Sequence, residues 1–524
     1  MEGIALLLFA ASVGYGAARA LGLPPLPLLL VAGLVLGRAG GVPPELLEDA
    51  LILGVTFLLF VTGIELGPQR TGRQRPAAIR VGLVQFVLLG LAGYGAARLV
   101  GIDGLGAAFV ALALTASSTL VVVRLLRQRR QMFEPFGRLV TGVLLLQDLL
   151  VILLIPIVTR APLGVSAVLT GTAAVALLLI LAALSWRWVS PLIVRIGRDD
   201  ESLLLSTLAL LFVFTGITSW LGLPLVVGAF LAGVALSGFP ANAVIRPQLA
   251  SIGDFFSAIF FTALGALIGI PTVPELLQAL VLAAVVVILT PPLVTAVAEW
   301  AGLSARPAIE AGLLLAQTSE ISLVIGLYGM IEGAISTSVF TVIALVTLST
   351  MLLTPFLTTD RLVWRILHLH PVRMRERGDV PAFSDHVLLL GSGTTGMPLL
   401  ETLFGAGHEV VVVDDDPDVV KRLREADVHV IRGDATDLAV LGRACARDAL
   451  VITSTIRRPE DNRRLLEYAR GVRVIVRVFE EADAEWISAM GGTPVLYSTA
   501  AAEGLLEWFA RAVARGDGSL DSHQ

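Results

Sequence analysis

The sequence has very little of the side chains that usually accompany carboxylates in polar chemistry. Its 524 residues include one cysteine, Cys445, and one lysine, Lys421. All six histidines lie at or beyond His368. One cysteine excludes a disulfide framework and a cysteine-based metal site. Because the residues before His368 include neither lysine nor histidine, any proton chemistry there must depend on carboxylates.

Apolar residues, by contrast, are abundant. A hydrophobic content of 56% and a mean hydropathy of +0.84 predict a polytopic α-helical membrane protein. The apolar runs end near Arg361, and alternating strand and helix patterns follow. We therefore predict a transmembrane domain at 1–360, a cytoplasmic linker at 361–384, an α/β Rossmann-like domain at 385–515 and a disordered tail at 516–524. Thirteen spans are predicted, at 3–20, 24–39, 46–66, 78–99, 104–126, 136–158, 164–185, 202–220, 223–238, 249–269, 275–298, 307–328 and 335–357.

The arginines indicate an orientation. The loops after odd-numbered spans contain most of them, and those after even-numbered spans contain only Arg38, Arg98 and Arg160, close to helix ends. By the positive-inside rule, the N-terminus is predicted outside and the C-terminal domain in the cytoplasm. The chain is predicted to lie in the inner (plasma) membrane of the cell. The net charge of −5 implies no nucleic-acid partner.

The sixth span contains Gln147 and Asp148 near its centre. A carboxylate at that depth costs about 2.5–3.5 kcal/mol on insertion scales, so a functional role is expected. We interpret Asp148 as the group for which a monovalent cation and a proton compete. Gln147 offers both an amide donor and a carbonyl acceptor, so it could tune Asp148 or bind the ion.

The fifth and twelfth spans each have a polar centre between apolar arms. Thr115, Ser118 and Thr119 lie in the fifth span, and Ser319 and Glu320 lie in the twelfth. Such a pair fits inverted repeats with crossed helices that break at the midplane. The alternative is that the hydroxyls bond back within intact helices. Glu320 has two open interpretations, a transport group or a carboxylate satisfied by the broken backbone.

A G-x-G-x-x-G motif follows the first strand pattern of the C-terminal domain. Its residues are Gly391, Ser392, Gly393, Thr394, Thr395 and Gly396. Such a turn brings a pyrophosphate to a helix N-terminus, and an acid about 20 residues on, here Asp414, binds a ribose hydroxyl. We also assign Asp416, Asp434 and Ala435 to this site, and we predict six parallel strands. A Rossmann fold without a ligand is the alternative.

At these residues the chain resembles the cation:proton antiporter-2 family, specifically Kef-type potassium efflux proteins with a C-terminal TrkA-N (RCK/KTN) domain. The resemblance covers nearly the full length. Its matching segments are FVTGIEL (60–66), the polar SST of span five, GRLVTGVLLLQD (137–148), FFTALGALIG (260–269), LLLAQTSEISLV (313–324) and the LLGSGTTG, VVVDDDP and GDAT motifs.

This resemblance implies a homodimer with a core that moves as an elevator, and Asp148 as the ion-binding acid. The Gln147–Asp148 pair matches potassium-type members, whereas sodium-type relatives more often have two acids. The resemblance also implies an adenine nucleotide (AMP, ATP or NAD(H)) as regulatory ligand, and it leaves an ancillary subunit open. Two departures stand out: Thr290 occupies the position of a lysine found in many relatives, and Thr318-Ser319 replaces a glycine-rich turn.

We therefore expect exchange of a monovalent cation, K⁺ more than Na⁺, for H⁺ under nucleotide control. Three alternatives differ in class or ion. They are a Na⁺/H⁺ antiporter with the same fold, a potassium channel gated by an RCK domain, and a membrane-tethered oxidoreductase. The oxidoreductase alternative depends on the glycine motif alone. Against the channel alternative, the sequence has no selectivity-filter motif of the TVGYG type.

Overall fold

A computed structural model gives the structure of residues 2–22, 25–65, 74–129, 131–132, 135–196, 199–238, 241–369, 383–393, 396–456 and 458–514. The chain forms two compact units. Unit 1 is Met1–Ala301 with Ala308–Ile366, and unit 2 is Gly302–Pro307 with Leu367–Gln524. The predicted disordered tail lies outside the described residues.

All secondary-structure elements in the described part of unit 1 are helices. The helices that precede the sheet of unit 2 in the chain are α1 (Glu2–Leu21), α2 (Pro25–Ala39), α3 (Pro44–Glu65), α4 (Arg75–Leu99), α5 (Gly104–Thr115), α6 (Thr119–Gln128), α7 (Pro135–Arg160), α8 (Val165–Leu184), α9 (Ser190–Ile196), α10 (Asp200–Trp220), α11 (Leu225–Ala235), α12 (Ala241–Leu267), α13 (Val273–Trp300), α14 (Ala305–Leu314), α15 (Glu320–Ile331), α16 (Thr337–Leu357) and α17 (Asp360–Leu369).

The helices fit a membrane protein, but the number of spans stays a prediction. Among the described residues, nine helical runs are long and apolar enough to cross a membrane, or ten if the bent α12 is counted. The helices α2, α11 and α15 are shorter than the about 20 residues that a span needs. The start of the predicted linker forms helix α17. This helix is amphipathic, with Val363 and Leu367 on its buried face.

The fifth and twelfth predicted spans are each broken. The first break, residues 116–118, separates α5 from α6, and the second, residues 315–319, separates α14 from α15. The hydroxyl of Ser118 accepts from the Val121 amide at 3.3 Å, and that of Ser319 accepts from the Ile321 amide at 3.2 Å. Each second half-helix therefore begins with a serine N-cap. The breaks confirm the broken-helix interpretation, and the alternative of intact helices is wrong.

Paired glycines bring two helices of unit 1 into backbone contact. A β-carbon at Gly63 in α3 would lie 2.2 Å from the Phe230 carbonyl oxygen, and one at Gly233 in α11 would lie 2.1 Å from the Phe60 carbonyl oxygen. Helices α2 and α12 approach in the same way at Gly33. Small residues permit such contact between membrane helices, where van der Waals packing rather than the hydrophobic effect drives association.

Unit 2 contains a six-stranded parallel sheet, and six parallel strands were predicted. Its strands are β1 (Val387–Leu390), β2 (Val410–Asp414), β3 (His429–Arg432), β4 (Val451–Ser454), β5 (Arg473–Val478) and β6 (Thr493–Leu496). Their order in the sheet, β3-β2-β1-β4-β5-β6, comes from the structure. Val387 pairs with both Val410 and Val451, so β1 is central. The helices that follow the strands are α18 (Gly396–Gly405), α19 (Pro417–Glu425), α20 (Leu438–Arg443), α21 (Asn462–Tyr468), α22 (Glu481–Ala489) and α23 (Tyr497–Ala514).

Candidate ion and nucleotide sites

The two breaks of unit 1 contact each other. The Ser117 hydroxyl, in the first break, donates to the Leu315 carbonyl, in the second, at 2.9 Å. In return, the Ser322 hydroxyl of α15 donates to the Ala113 carbonyl of α5. A break frees main-chain carbonyls from the helix ladder, and these bonds satisfy one of them on each side. The two polar centres predicted from sequence therefore form one buried region.

Helix α7 presents Gln147 and Asp148 to the first break. The Gln147 side-chain oxygen accepts from the Ser117 amide at 3.1 Å, and Asp148 Oδ2 accepts from the Thr119 hydroxyl at 3.0 Å. Asp148 is 1% exposed, and Gln147 is fully buried. Asp148 Oδ1 and the Gln147 amide nitrogen have no hydrogen-bond partner among the described residues. The carboxylate thus has one oxygen held in place and one oxygen available.

Glu320 supplies a second buried carboxylate. It begins α15, is 5% exposed, and its Oε2 has no hydrogen-bond partner among the described residues. The Ser118 hydroxyl and the Leu120 amide interact with it. Its charge also acts on Asp148, so the two acids lie within electrostatic range of each other.

No basic side chain forms an ion pair with Asp148 or Glu320 within the described part of unit 1. Thr290, where many relatives have a lysine, is fully buried in α13 and its hydroxyl has no hydrogen-bond partner there. An unpaired buried carboxylate is costly, and such a group usually becomes neutral or acquires a counter-ion. The arrangement can therefore accept a proton or a cation.

The remaining predicted ligands lie in the same region with different contacts. The Thr115 hydroxyl donates to the Leu112 carbonyl at 2.7 Å, so its lone pairs remain available. Ser118 and Ser319 cap their half-helices. Sequence reasoning did not identify Ser117 as a link between the breaks, or Thr347 and Thr350 of α16, whose hydroxyls contact the second break. Buried threonines that bond back to their own helix are common, so the sequence offers no signal for the latter pair.

The three motif glycines of unit 2 have different structural reasons. Gly391 has φ +82°, a left-handed conformation that favours glycine. A β-carbon on Gly396 would lie 2.2 Å from the Gly391 carbonyl oxygen. Gly393 has open space beside it, since no described atom apart from its chain neighbours lies within 4 Å of the position that a β-carbon would take, so a ligand can approach the backbone there. Thr394 and Thr395 lie outside the described residues.

The acids at the strand ends are already engaged by the protein. Asp414 Oδ2 accepts from the Ser392 amide at 2.8 Å and from its hydroxyl at 2.7 Å. Asp416 caps α19 through the Asp418 amide at 2.8 Å. Asp434, followed by the half-buried Ala435, accepts from the Thr436 amide and hydroxyl. Thr455, which sequence reasoning missed, donates to the Gly391 carbonyl at 2.8 Å.

These features define a secondary transporter with a nucleotide-binding fold. The transporter part is a helical membrane core with two breaks around buried acids. The nucleotide-binding part is a parallel α/β domain with a glycine turn. The sodium/hydrogen exchanger family model matches residues 6–362, and the TrkA-N domain model matches residues 387–498. The chain belongs to the sodium/hydrogen exchanger family. That family consists of transporters, so the oxidoreductase alternative is wrong.

Curated relatives share much of the length. The chain is 26% identical over 456 residues to the glutathione-regulated potassium-efflux system protein KefC of Enterobacter sp. (strain 638), covering 84% of this chain and 73% of that protein. It is 28% identical over 460 residues to the protein of the same name from Escherichia coli (strain K12), with the same coverage. The sodium proton antiporter MjNhaP1 from Methanocaldococcus jannaschii has the same fold, with a TM-score of 0.51 and 18% identity, covering 68% of this chain and 98% of that chain.

Proposed function

We propose that this chain exchanges one monovalent cation for one proton at Asp148, with K⁺ preferred to Na⁺. The observation that supports this most directly is the state of the Asp148 carboxylate, which is almost fully buried, with Oδ2 held by Thr119 and Oδ1 without a partner among the described residues. One acceptor oxygen is thus left for a single ligand at a time.

The exchange follows from the cost of an unpaired charge. A protonated Asp148 is neutral and can change sides in a low-dielectric core, whereas an ionised Asp148 can do so only with a bound cation. One H⁺ then replaces one cation, and no net charge moves. Because Thr290 provides no positive charge where many relatives have a lysine, no additional proton carrier is expected at that position.

Oxygen ligands are plentiful around this carboxylate. The lone pairs of Thr115 and the unpaired Oε2 of Glu320 add to Asp148 Oδ1. Such oxygens can replace the hydration shell of a monovalent cation. Gln147 in place of a second acid, together with KefC names among the relatives, supports K⁺. A Na⁺/H⁺ exchanger remains the second candidate because the MjNhaP1 fold is shared.

The test is Asp148→Asn in proteoliposomes, with fluorescence dequenching recorded after K⁺ or Na⁺ pulses at several pH values. We expect cation-dependent proton movement to be lost while thermal unfolding in detergent is unchanged. Asp254→Asn is the matched control, because it makes the same substitution in α12 at an exposed side chain. Full activity of Asp148→Asn rejects Asp148 as the exchange group, and a larger Na⁺ than K⁺ response rejects the ion assignment.

For unit 2 we propose that an adenine nucleotide binds at the glycine turn and lowers transport. Support comes from the left-handed Gly391, the close Gly391–Gly396 approach and the open space at Gly393. AMP, ATP and NAD(H) all have the ribose and phosphate groups that such a turn accepts. Asp414→Ala should weaken the binding of each ligand in calorimetry, because it removes the ribose acceptor and releases Ser392. Unchanged binding removes Asp414 from the site. Glu425→Gln, which changes an exposed acid of α19 outside the predicted site, is the control.

The assembly and orientation are further parts of the proposal. The exchanger resemblance supports a homodimer, which light scattering of the detergent-solubilised protein would test. The arginine distribution supports an outside N-terminus and a cytoplasmic unit 2. Cys445 is the only cysteine of the chain and is partly exposed, so it reports the location of unit 2. An impermeant maleimide should label sealed right-side-out vesicles only after permeabilisation, and immediate labelling contradicts the orientation.

A further inference from the structure

Three buried threonine hydroxyls form a cluster at the second break of unit 1. The Thr318 hydroxyl lies 3.1 Å from the Thr347 hydroxyl and 3.2 Å from the Thr350 hydroxyl. The Thr318 amide also donates to the Thr350 hydroxyl at 3.1 Å. All three side chains are at most 1% exposed. Helix α16, which supplies Thr347 and Thr350, is therefore joined to the break by side-chain and main-chain bonds.

The direction of these hydrogen bonds is set by helix α16. The Thr347 hydroxyl donates to the Ile343 carbonyl at 2.9 Å, and the Thr350 hydroxyl donates to the Val346 carbonyl at 2.8 Å. Each hydroxyl has one proton, so with these donations made, both oxygens act as acceptors toward Thr318. The break is therefore held by two acceptors that cannot rotate away without losing their own helix bonds.

The Thr318 amide uses one of these acceptors. Thr318 lies between α14 and α15, so its amide has no helix carbonyl as partner and needs another acceptor. The Thr350 hydroxyl receives the Thr318 amide, one residue before the Ser319 cap and two residues before Glu320. Because peptide units are rigid, fixing this amide restricts where the adjacent cap and carboxylate can lie.

We propose that Thr347 and Thr350 are positioning residues of the ion site. They hold the second break in the conformation that places Ser319 and Glu320 beside Asp148, and so set the affinity for the transported cation. This inference rests on the proposed function, because it assumes that Glu320 and Asp148 lie at the exchange site. It differs from that proposal in placing part of the affinity in α16, which supplies no ligand.

The neighbouring Thr354 separates positioning from ordinary helix back-bonding. It lies one turn further along α16, is fully buried, and its hydroxyl donates to the Thr350 carbonyl at 2.8 Å. Its hydrogen bonding is thus confined to its own helix. Thr354→Val therefore removes a buried hydroxyl of the same kind without removing an acceptor from the break.

The experiment compares Thr350→Val, Thr350→Ser, Thr347→Val and Thr354→Val with the unmodified full chain in proteoliposomes. Cation-dependent exchange is recorded over a K⁺ series at three pH values, together with thermal unfolding in detergent. We expect Thr350→Val to weaken the apparent K⁺ affinity about tenfold, which corresponds to ~1.4 kcal/mol, with a smaller change in maximal rate. Thr350→Ser should restore the affinity because it keeps the acceptor, and Thr354→Val should resemble the unmodified protein.

Three results overturn this inference. They are an unchanged K⁺ affinity in Thr350→Val, an equal loss of affinity in Thr354→Val, and a failure of Thr350→Ser to restore it. If Thr350→Val does not fold, Thr347→Val provides the test, because it removes a side-chain acceptor and leaves the Thr318 amide bonded. An unchanged K⁺ affinity in Thr347→Val also overturns the inference. Loss of exchange in Asp148→Asn with normal threonine variants rejects only the positioning role. Full exchange in Asp148→Asn rejects the site itself.

Discussion

The hydrogen bond from Thr119 to Asp148 gives the sharpest test of competition between proton and cation. The Thr119 hydroxyl donates at 3.0 Å to Asp148 Oδ2, and both side chains are buried. A donor stabilises the ionised carboxylate more than the protonated one. Thr119→Val removes the donor at almost constant volume, so protons should compete better with the cation for the carboxylate.

The magnitude follows from the type of bond. Hydrogen bonds to charged groups contribute about 1.5–3 kcal/mol. One pH unit corresponds to about 1.36 kcal/mol, so the pH of half-maximal exchange at fixed K⁺ should move upward by about 1–2 units. The assay is dequenching in proteoliposomes between pH 5.5 and 9.5, a range chosen to include the shifted midpoint.

Two controls make this result interpretable. Thr119→Ser keeps the donor and should leave the pH midpoint unchanged. Thr141→Val removes a buried hydroxyl of α7 that bonds back to the Gly137 carbonyl and not to Asp148, so it should also leave the pH midpoint unchanged. A Thr119→Val protein whose midpoint matches that of the unmodified protein, with exchange intact, would refute the assignment of Asp148 as the titrating group.

Three further predictions concern stability and charge movement. Gly233→Ala should lower the unfolding temperature of the detergent-solubilised protein, because the new β-carbon would lie 2.1 Å from the Phe60 carbonyl oxygen. Such overpacking costs about 1–3 kcal/mol. Gly95→Ala is the control and should leave the unfolding temperature unchanged, because its β-carbon would meet open space. Burial lowers the pKa of His386. As the pH falls, the unfolded chain therefore binds a proton at His386 before the folded chain does, so unit 2 should lose stability below about pH 6.5. The loss should be smaller in His386→Gln. Unfolding recorded from pH 8 to 5 would test both expectations. Exchange should be electroneutral, and sustained transport currents on a solid-supported membrane would contradict it.

Sequence alone determined much of the architecture. Apolar runs of bilayer length can only be helices, because lipid offers no partner for backbone groups. The sheet of unit 2 was predictable because its central strands β1 and β2 are short, buried apolar runs, each followed by a turn signal. Asp148 could be selected as a candidate functional residue for a related reason, since a carboxylate in such a run is conspicuous. The breaks could be predicted as well, because Ser118 and Ser319 favour helix N-caps over helix interiors.

The partners of these residues were decided by tertiary structure. Ser117 bonds to Leu315, which is 198 residues away, and Thr318 bonds to Thr350 on another helix. No local pattern specifies such pairs, because a buried hydroxyl satisfied by its own helix and one that supports a distant break look alike in sequence. The same holds for Asp414, whose carboxylate binds Ser392 in the folded domain. Local chemistry therefore selects which residues are polar and where helices end, whereas the packing of helices and strands decides which oxygen meets which donor.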